Sequence, residues 1–171
     1  MLSSIALGHE KQWPERRLKQ VWPEAQSFTS KQITLTPSQI SELKNEGVKV
    51  GPENRNPIFY FAQAAGATSV ERLNLGVILF TDETGENGRM EISVAVGLDG
   101  AIKKIDLWEQ SENPLVKKED FLQQFVGKTV KDSFIANKDY RPVEKALKAS
   151  EAVAQSARTA LKIANLAFQK K

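Results

Sequence analysis

The chain has 171 residues, of which 40% are hydrophobic and 26% are charged, with a net charge of +3; this is the size and composition of one globular domain with its own core. No cysteine is present and His9 is the only histidine, which excludes disulfides, thiolate metal sites and Ser-His-Asp or Cys-His catalysis. Because no Lys/Arg cluster is interleaved with aromatics, we expect no nucleic-acid partner, and any redox chemistry needs a bound cofactor.

The amino-terminal segment predicts a short helix. Residues Met1 to Gly8 lack a basic region and a long apolar region, so they are not an intact secretory signal, although they fit what remains after one is removed. Residues Glu10 to Val21 predict an amphipathic helix that ends before Pro23, because proline disfavours helix at the preceding residue. We interpret residues 1–20 as a helical lead-in and residues 21–171 as a single domain. No apolar run is long enough to span a membrane.

A second helix is predicted after a short extended piece at Ser30 to Leu35. Thr36 suits the N-cap, Pro37 suits the first helical position, and Gln39 completes a capping box. Gly47 is placed to end this helix as a left-handed residue.

Apolar stretches in the middle of the chain predict an antiparallel sheet. They are Ile58 to Ala62, Leu75 to Phe80, Glu91 to Leu98 and Ile102 to Trp108. In the third stretch apolar and smaller or polar residues alternate, which predicts a strand in a sheet whose main core lies on one side. Asp99-Gly100 predicts the turn into the fourth stretch.

Polar segments connect these strands. Residues Thr81 to Arg89 predict a loop with three acids, which we interpret as solvated rather than as a calcium site, because it lacks the spacing of an EF-hand. Glu109 to Pro114 predicts a second polar loop. Lys118 to Phe125 predicts a short helix that ends at Gly127.

The last predicted helix is the longest, from Pro142 to Phe168. Its apolar and small residues recur at steps of three and four, which places an alanine-rich stripe against the sheet. The fold class is therefore α+β, an antiparallel sheet with helices packed on it and a long C-terminal helix. We predict that these residues are buried: Ile92, Val94, Val96, Leu161 and Phe168.

The order of these elements resembles the FMN-binding domain of bacterial electron-transport complexes, such as subunits of sodium-translocating NADH:quinone reductase and of the Rnf complex. The best-matched segments are Val94 to Gly100 and Phe121 to Lys128. Val21 to Ala25, followed by Leu35-Thr36-Pro37, resembles the lead-in of extracytoplasmic members. The resemblance covers about residues 20 to 168 and implies electron transfer and a periplasmic or otherwise extracytoplasmic location.

The chain departs from the two functional signatures of that family. The family's acidic-threonine-glycine loop corresponds to Glu109 to Pro114, where the glycines are missing. Its Ser-Gly-Ala-Thr segment, whose threonine carries FMN, corresponds to Glu144-Lys145-Ala146-Leu147. Leucine has no oxygen to esterify, so we predict no covalent FMN, and any flavin is held noncovalently.

Two functions remain open at this stage. In the first, the domain serves electron transfer with noncovalent FMN and a redox or membrane protein partner; in the second, it has lost flavin and acts as a protein-binding or scaffold module. Side-chain catalysis has little support, and we expect no metal site. The expected cofactor site lies between the 109–114 loop and the start of the last helix. Its candidate residues are Trp108, which could stack on a planar ligand, Glu109, Ser111, Lys145, Lys148 and Ser150.

Overall fold

One antiparallel sheet organises the computed structural model, which describes residues 13–68 and 70–168 of the chain. The expectations for Met1 to Gly8 and for His9 concern residues outside these ranges. In the described part the strands are β1 (Ser27–Gln32), β2 (Ile58–Ala65), β3 (Arg72–Thr84), β4 (Arg89–Gly97) and β5 (Ile102–Leu107). The α-helices are α1 (Glu15–Val21), α2 (Pro37–Asn45), α3 (Pro52–Arg55), α4 (Glu119–Leu122) and α5 (Leu147–Phe168), and short 3₁₀ turns cover Pro114–Lys117 and Gln123–Phe125.

The five strands form a simple meander, in which each strand pairs with its neighbour along the chain. The predicted turn at Asp99-Gly100 joins β4 to β5, and Gly100 adopts a φ of +74°, which favours glycine. The loop predicted over Thr81 to Arg89 is wrong in extent, because β3 continues to Thr84 and β4 begins at Arg89. An ion pair between Arg89 and Asp82 holds these strand ends together.

Helix α5 covers one face of the sheet and contacts mainly β3 and β4. The core on this face confirms the predicted burial of Ile92, Val94, Val96 and Leu161. The prediction for Phe168 is wrong, because it remains 47% exposed. Its ring makes edge-to-face contacts with Phe59 and Phe61 at the last turn of the helix.

Helix α1 covers the opposite face of the sheet, so this face is also buried, although the larger core lies on the α5 side, as the predicted main core on one side requires. Leu18 and Val21 of α1 pack with a second cluster of strand residues that includes Ile78 and Ala95. Every residue of β4 after Arg89 is therefore buried, including the polar Ser93. The proposed division between residues 20 and 21 falls within α1.

Local signals placed some helix ends correctly and others wrongly. Thr36 and Gln39 form the predicted capping box of α2, and Gly47 has the expected positive φ. The predicted start of the last helix at Pro142 is wrong, because α5 begins at Leu147 after a turn at residues 143–146. Among the described residues, no helix is long and apolar enough to cross a membrane.

Candidate functional site

The first turn of α5 is capped by a carboxylate from the loop between β3 and β4. Glu86 Oε1 accepts a hydrogen bond of 2.6 Å from the backbone amide of Lys148, and Glu86 Oε2 accepts one of 2.9 Å from the amide of Ala149. These amides lack acceptors within the helix, and the helix dipole makes this end favourable for negative charge. A carboxylate of the chain itself thus occupies the position where an external anion would bind a helix amino terminus.

Two opposing effects act on the Glu86 carboxylate. Desolvation raises its pKa, but the hydrogen bonds from the amides of Ala149 and Lys148 lower it more, so the pKa lies below its ordinary value of 4.5. Glu86 is therefore ionised at neutral pH. This matches its role as the acceptor of both amides.

The loop that carries Glu86 is braced by the segment after β5. Glu112 is only 7% exposed, and its Oε1 accepts a hydrogen bond of 2.7 Å from the amide of Asn87. Asn87 Nδ2 in turn donates to the carbonyl oxygen of Ser111 over 3.0 Å. A Cβ on Gly85 would lie 2.3 Å from Glu112 Oε1, so only glycine fits at this position without a shift.

Ser150 lies in the first turns of α5, and its hydroxyl is already engaged. It is fully buried. Its Oγ donates to the carbonyl of Ala146 over 2.7 Å and accepts from the amide of Val143 over 3.0 Å. Ser150 therefore closes the turn that leads into the helix, and its hydroxyl is turned away from solvent.

The side chains of Lys145 and Lys148 are exposed, as is Leu147. The backbone amide of Lys148, rather than its ammonium, makes the defining contact at this end of the helix. Both lysines therefore lie exposed near the start of α5, where Glu86 already occupies the position of an anion.

Trp108 lies at the end of β5 on the face covered by α1. Its Nε1 donates a hydrogen bond of 2.9 Å to Ser93 Oγ, and the guanidinium of Arg17 lies 5.3 Å from the ring centroid. Arg17 also pairs with the buried carboxylate of Glu91 and with the exposed carboxylate of Glu109, the latter at 3.1 Å. A cation of the chain therefore covers the ring that was expected to stack on a ligand.

The predicted site residues form two separate groups. Trp108 and Glu109 belong to a cluster with Arg17 of α1, whereas Ser111 contributes its carbonyl to the loop that caps α5.

Sequence reasoning missed Glu86, Glu112 and Arg17. Glu86 lies 62 residues before Lys148 in the chain, and no local pattern links a hairpin acid to so distant a helix.

A groove at the other end of α5 is the most apolar of three described concave surfaces, and we call it the carboxy-terminal groove. It encloses about 660 Å³ between the second half of α5, the sheet and the 129–131 loop. Its principal apolar lining residues are Phe61, Val77, Val96, Leu98, Leu161 and Phe168. None of the predicted cofactor residues lines this groove.

The residues at the start of α5 do not fit an FMN phosphate. Two amides of the first turn are held by Glu86, the Ser150 hydroxyl is buried and engaged, and Leu147 offers no oxygen. The described residues also contain no group of three or more His, Cys, Asp or Glu side chains arranged to hold a metal ion.

Known protein families and curated proteins provide no relative for this chain. No family model matches the chain, and a search of curated proteins finds no significant match.

Proposed function

We propose that this chain is a binding or scaffold module that does not use flavin at the start of its last helix. The observation that carries the proposal is the Glu86 carboxylate on the amides of Lys148 and Ala149. A phosphate group at this place would meet the negative charge of Glu86, which already holds the two amides. Electrostatic repulsion between the phosphate and the Glu86 carboxylate opposes binding of FMN at this place.

The surroundings of Trp108 support the same proposal. A flavin ring would have to displace Arg17 from the indole, and this would separate Arg17 from Glu91, which is buried. Separating a buried carboxylate from a charged partner is costly. The stacking energy of one aromatic pair, about 0.5–1.5 kcal/mol, does not offset that cost.

A titration of FMN into the purified protein tests this proposal. We expect no saturable quenching of FMN fluorescence at micromolar concentrations. We also expect that Glu86→Ala, which frees both amides, increases the affinity for FMN or inorganic phosphate, whereas the matched variant Glu24→Ala does not. Glu24 is an exposed acid in the segment after α1, so it controls for the change in net charge.

The opposite outcome would support the electron-transfer hypothesis. Saturable FMN binding to the unaltered chain, weakened by both Trp108→Phe and Lys148→Gln, would place flavin at the expected site. A redox partner in an extracytoplasmic compartment would then become the leading proposal, as the resemblance implies.

A further inference from the structure

The carboxy-terminal groove has the size and lining of a small-molecule site. Its volume of about 660 Å³ lies within the range of roughly 300–1,000 Å³ that is typical of ligand sites. Its floor combines sheet residues Phe61, Val77 and Val96 with helix residues Leu161 and Ala164. A concave surface with this apolar floor and few polar groups favours a ligand with an apolar body.

Large apolar side chains also stand at the mouth of the groove. Leu98 is 76% exposed on the turn after β4, and Phe168 is 47% exposed at the end of α5. Both side chains line the groove. Together with the floor, these two side chains form an apolar surface. A single exposed leucine is ordinary in a folded protein, but a group of exposed apolar side chains indicates a binding surface.

The charges at the rim of the groove favour an anionic head group. The two charged lining residues are Lys131 and Asp99. The Lys103 ammonium at 2.7 Å and the amide of Ala101 bind the Asp99 carboxylate and hold its pKa below the ordinary value. The Lys131 ammonium forms no ion pair with any residue that the structure describes. Lys131 is thus the charge at this rim that has no counterion within the described chain.

We propose that the carboxy-terminal groove binds a small amphipathic anion, a molecule with an apolar or aromatic body and a carboxylate or sulfonate head. The body lies between α5 and the sheet, and the head lies at the rim beside Lys131. The exposed side-chain amide of Asn165, which also lines the groove, can donate a hydrogen bond to such a head.

This inference goes beyond the proposed function because it concerns the opposite end of α5. Leu161 lies about 20 Å along the helix axis from Leu147. Binding in the groove therefore requires neither the presence nor the absence of flavin at the first turn, and FMN titration and the following experiment report on different ends of the helix.

The test uses the fluorescence of anilinonaphthalene sulfonate, an aromatic anion, with the complete chain under native conditions. We expect saturable binding of one molecule, displaced by decanoate and not by decyltrimethylammonium of the same chain length. Lys131→Gln should weaken binding roughly two- to fivefold, the range expected for one exposed ion pair. Leu98→Ser should weaken it by about threefold through lost apolar contact.

Matched controls separate the groove from general surface effects. Lys117→Gln removes an exposed lysine from a different groove, and Leu115→Ser removes an exposed leucine that does not line the carboxy-terminal groove; neither should change affinity. The altered positions are exposed, and thermal unfolding checks that each variant stays folded. Absence of saturable binding, equal loss in the controls, or equal displacement by the cationic amphiphile would overturn the proposal.

Discussion

The guanidinium of Arg17 in α1 forms an ion pair with the carboxylate of Glu91 in β4. Arg17 is largely buried, and Glu91 more so. This pair joins the amino-terminal helix to a central strand across the second hydrophobic core. Because the Arg17 cation compensates the charge of the Glu91 carboxylate, this face of the sheet can be buried although it contains an acid.

Arg17→Met should destabilise the protein by about 2 kcal/mol, because methionine preserves the apolar stem but removes the cation beside a buried carboxylate. The exposed contact with Glu109 should contribute little to this value. Urea unfolding measures the change. Arg16→Met, on the exposed side of the same helix, should stay within about 0.5 kcal/mol of the unaltered chain; equal effects for both variants would contradict a specific role of the pair.

Glu86→Ala should destabilise the protein by about 1 kcal/mol, the usual cost of removing a side-chain cap from a helix amino terminus. The reason is that the amides of Lys148 and Ala149 lose their acceptor. Hydrogen exchange should show faster exchange of these two amides, with the middle of α5 unchanged. Unchanged protection at both amides would mean that the carboxylate does not cap the helix in solution.

The stability difference between the unaltered chain and Glu86→Ala should depend on pH in one direction. Because the folded pKa of Glu86 lies below its ordinary value of 4.5, the stabilisation is complete above that value. It is lost as pH falls from about 4.5 through the lower folded pKa. Thermal unfolding of both proteins from pH 7 to pH 3 measures this; a difference that stays constant across the range contradicts it.

Val94→Ala should cost about 2 kcal/mol, because Val94 is fully buried between the sheet and α5 and its truncation leaves a cavity. Leu98→Ala, on the exposed turn just after the same strand, provides the comparison and should change the free energy of unfolding by less than about 0.5 kcal/mol. A negligible effect at Val94 would mean that this face of β4 is not core.

The chain should carry no covalent FMN, even when it is made in a host that contains the flavin transferase. Leu147 has no hydroxyl, and the nearest hydroxyl along the helix, on Ser150, is buried and engaged. The variant Leu147→Thr should also remain unmodified, because Lys145 and Glu86 stay in place. Intact-mass spectrometry decides this, and an increment of one FMN ester on the unaltered chain would show that the alignment of the last helix is wrong.

The sequence predicted β2 to β5 and the capping of α2, because those features depend on residues close together in the chain. The alternation from Ile92 to Val96 defined β4, and Thr36 with Gln39 defined a helix start. The same alternation failed to predict that Ser93 is buried, since that burial depends on α1, some 70 residues earlier. Alternation shows which residues share a face, and only tertiary packing decides whether the second face is covered.

The candidate site was harder to predict for a related reason. Pro142 and Val143 continue the helical spacing backwards, but the Ser150 hydroxyl holds the amide of Val143 in a turn instead. Glu86 appeared to be one of several solvated acids, and its function as a cap depends on a helix that follows much later. Such a contact leaves no periodic signal, so only the folded geometry reveals it.

The meander has a consequence for the order in which the chain folds during synthesis. Every strand pairs with its immediate neighbour, so the sheet can assemble progressively as residues 27–107 emerge from the ribosome. Helix α5, which covers the face bearing Val77, Ile92 and Val94, follows all five strands in the chain. Until α5 emerges from the ribosome, the nascent chain exposes this apolar face. A nascent chain that is stalled before residue 147 would therefore present an apolar surface that chaperones recognise.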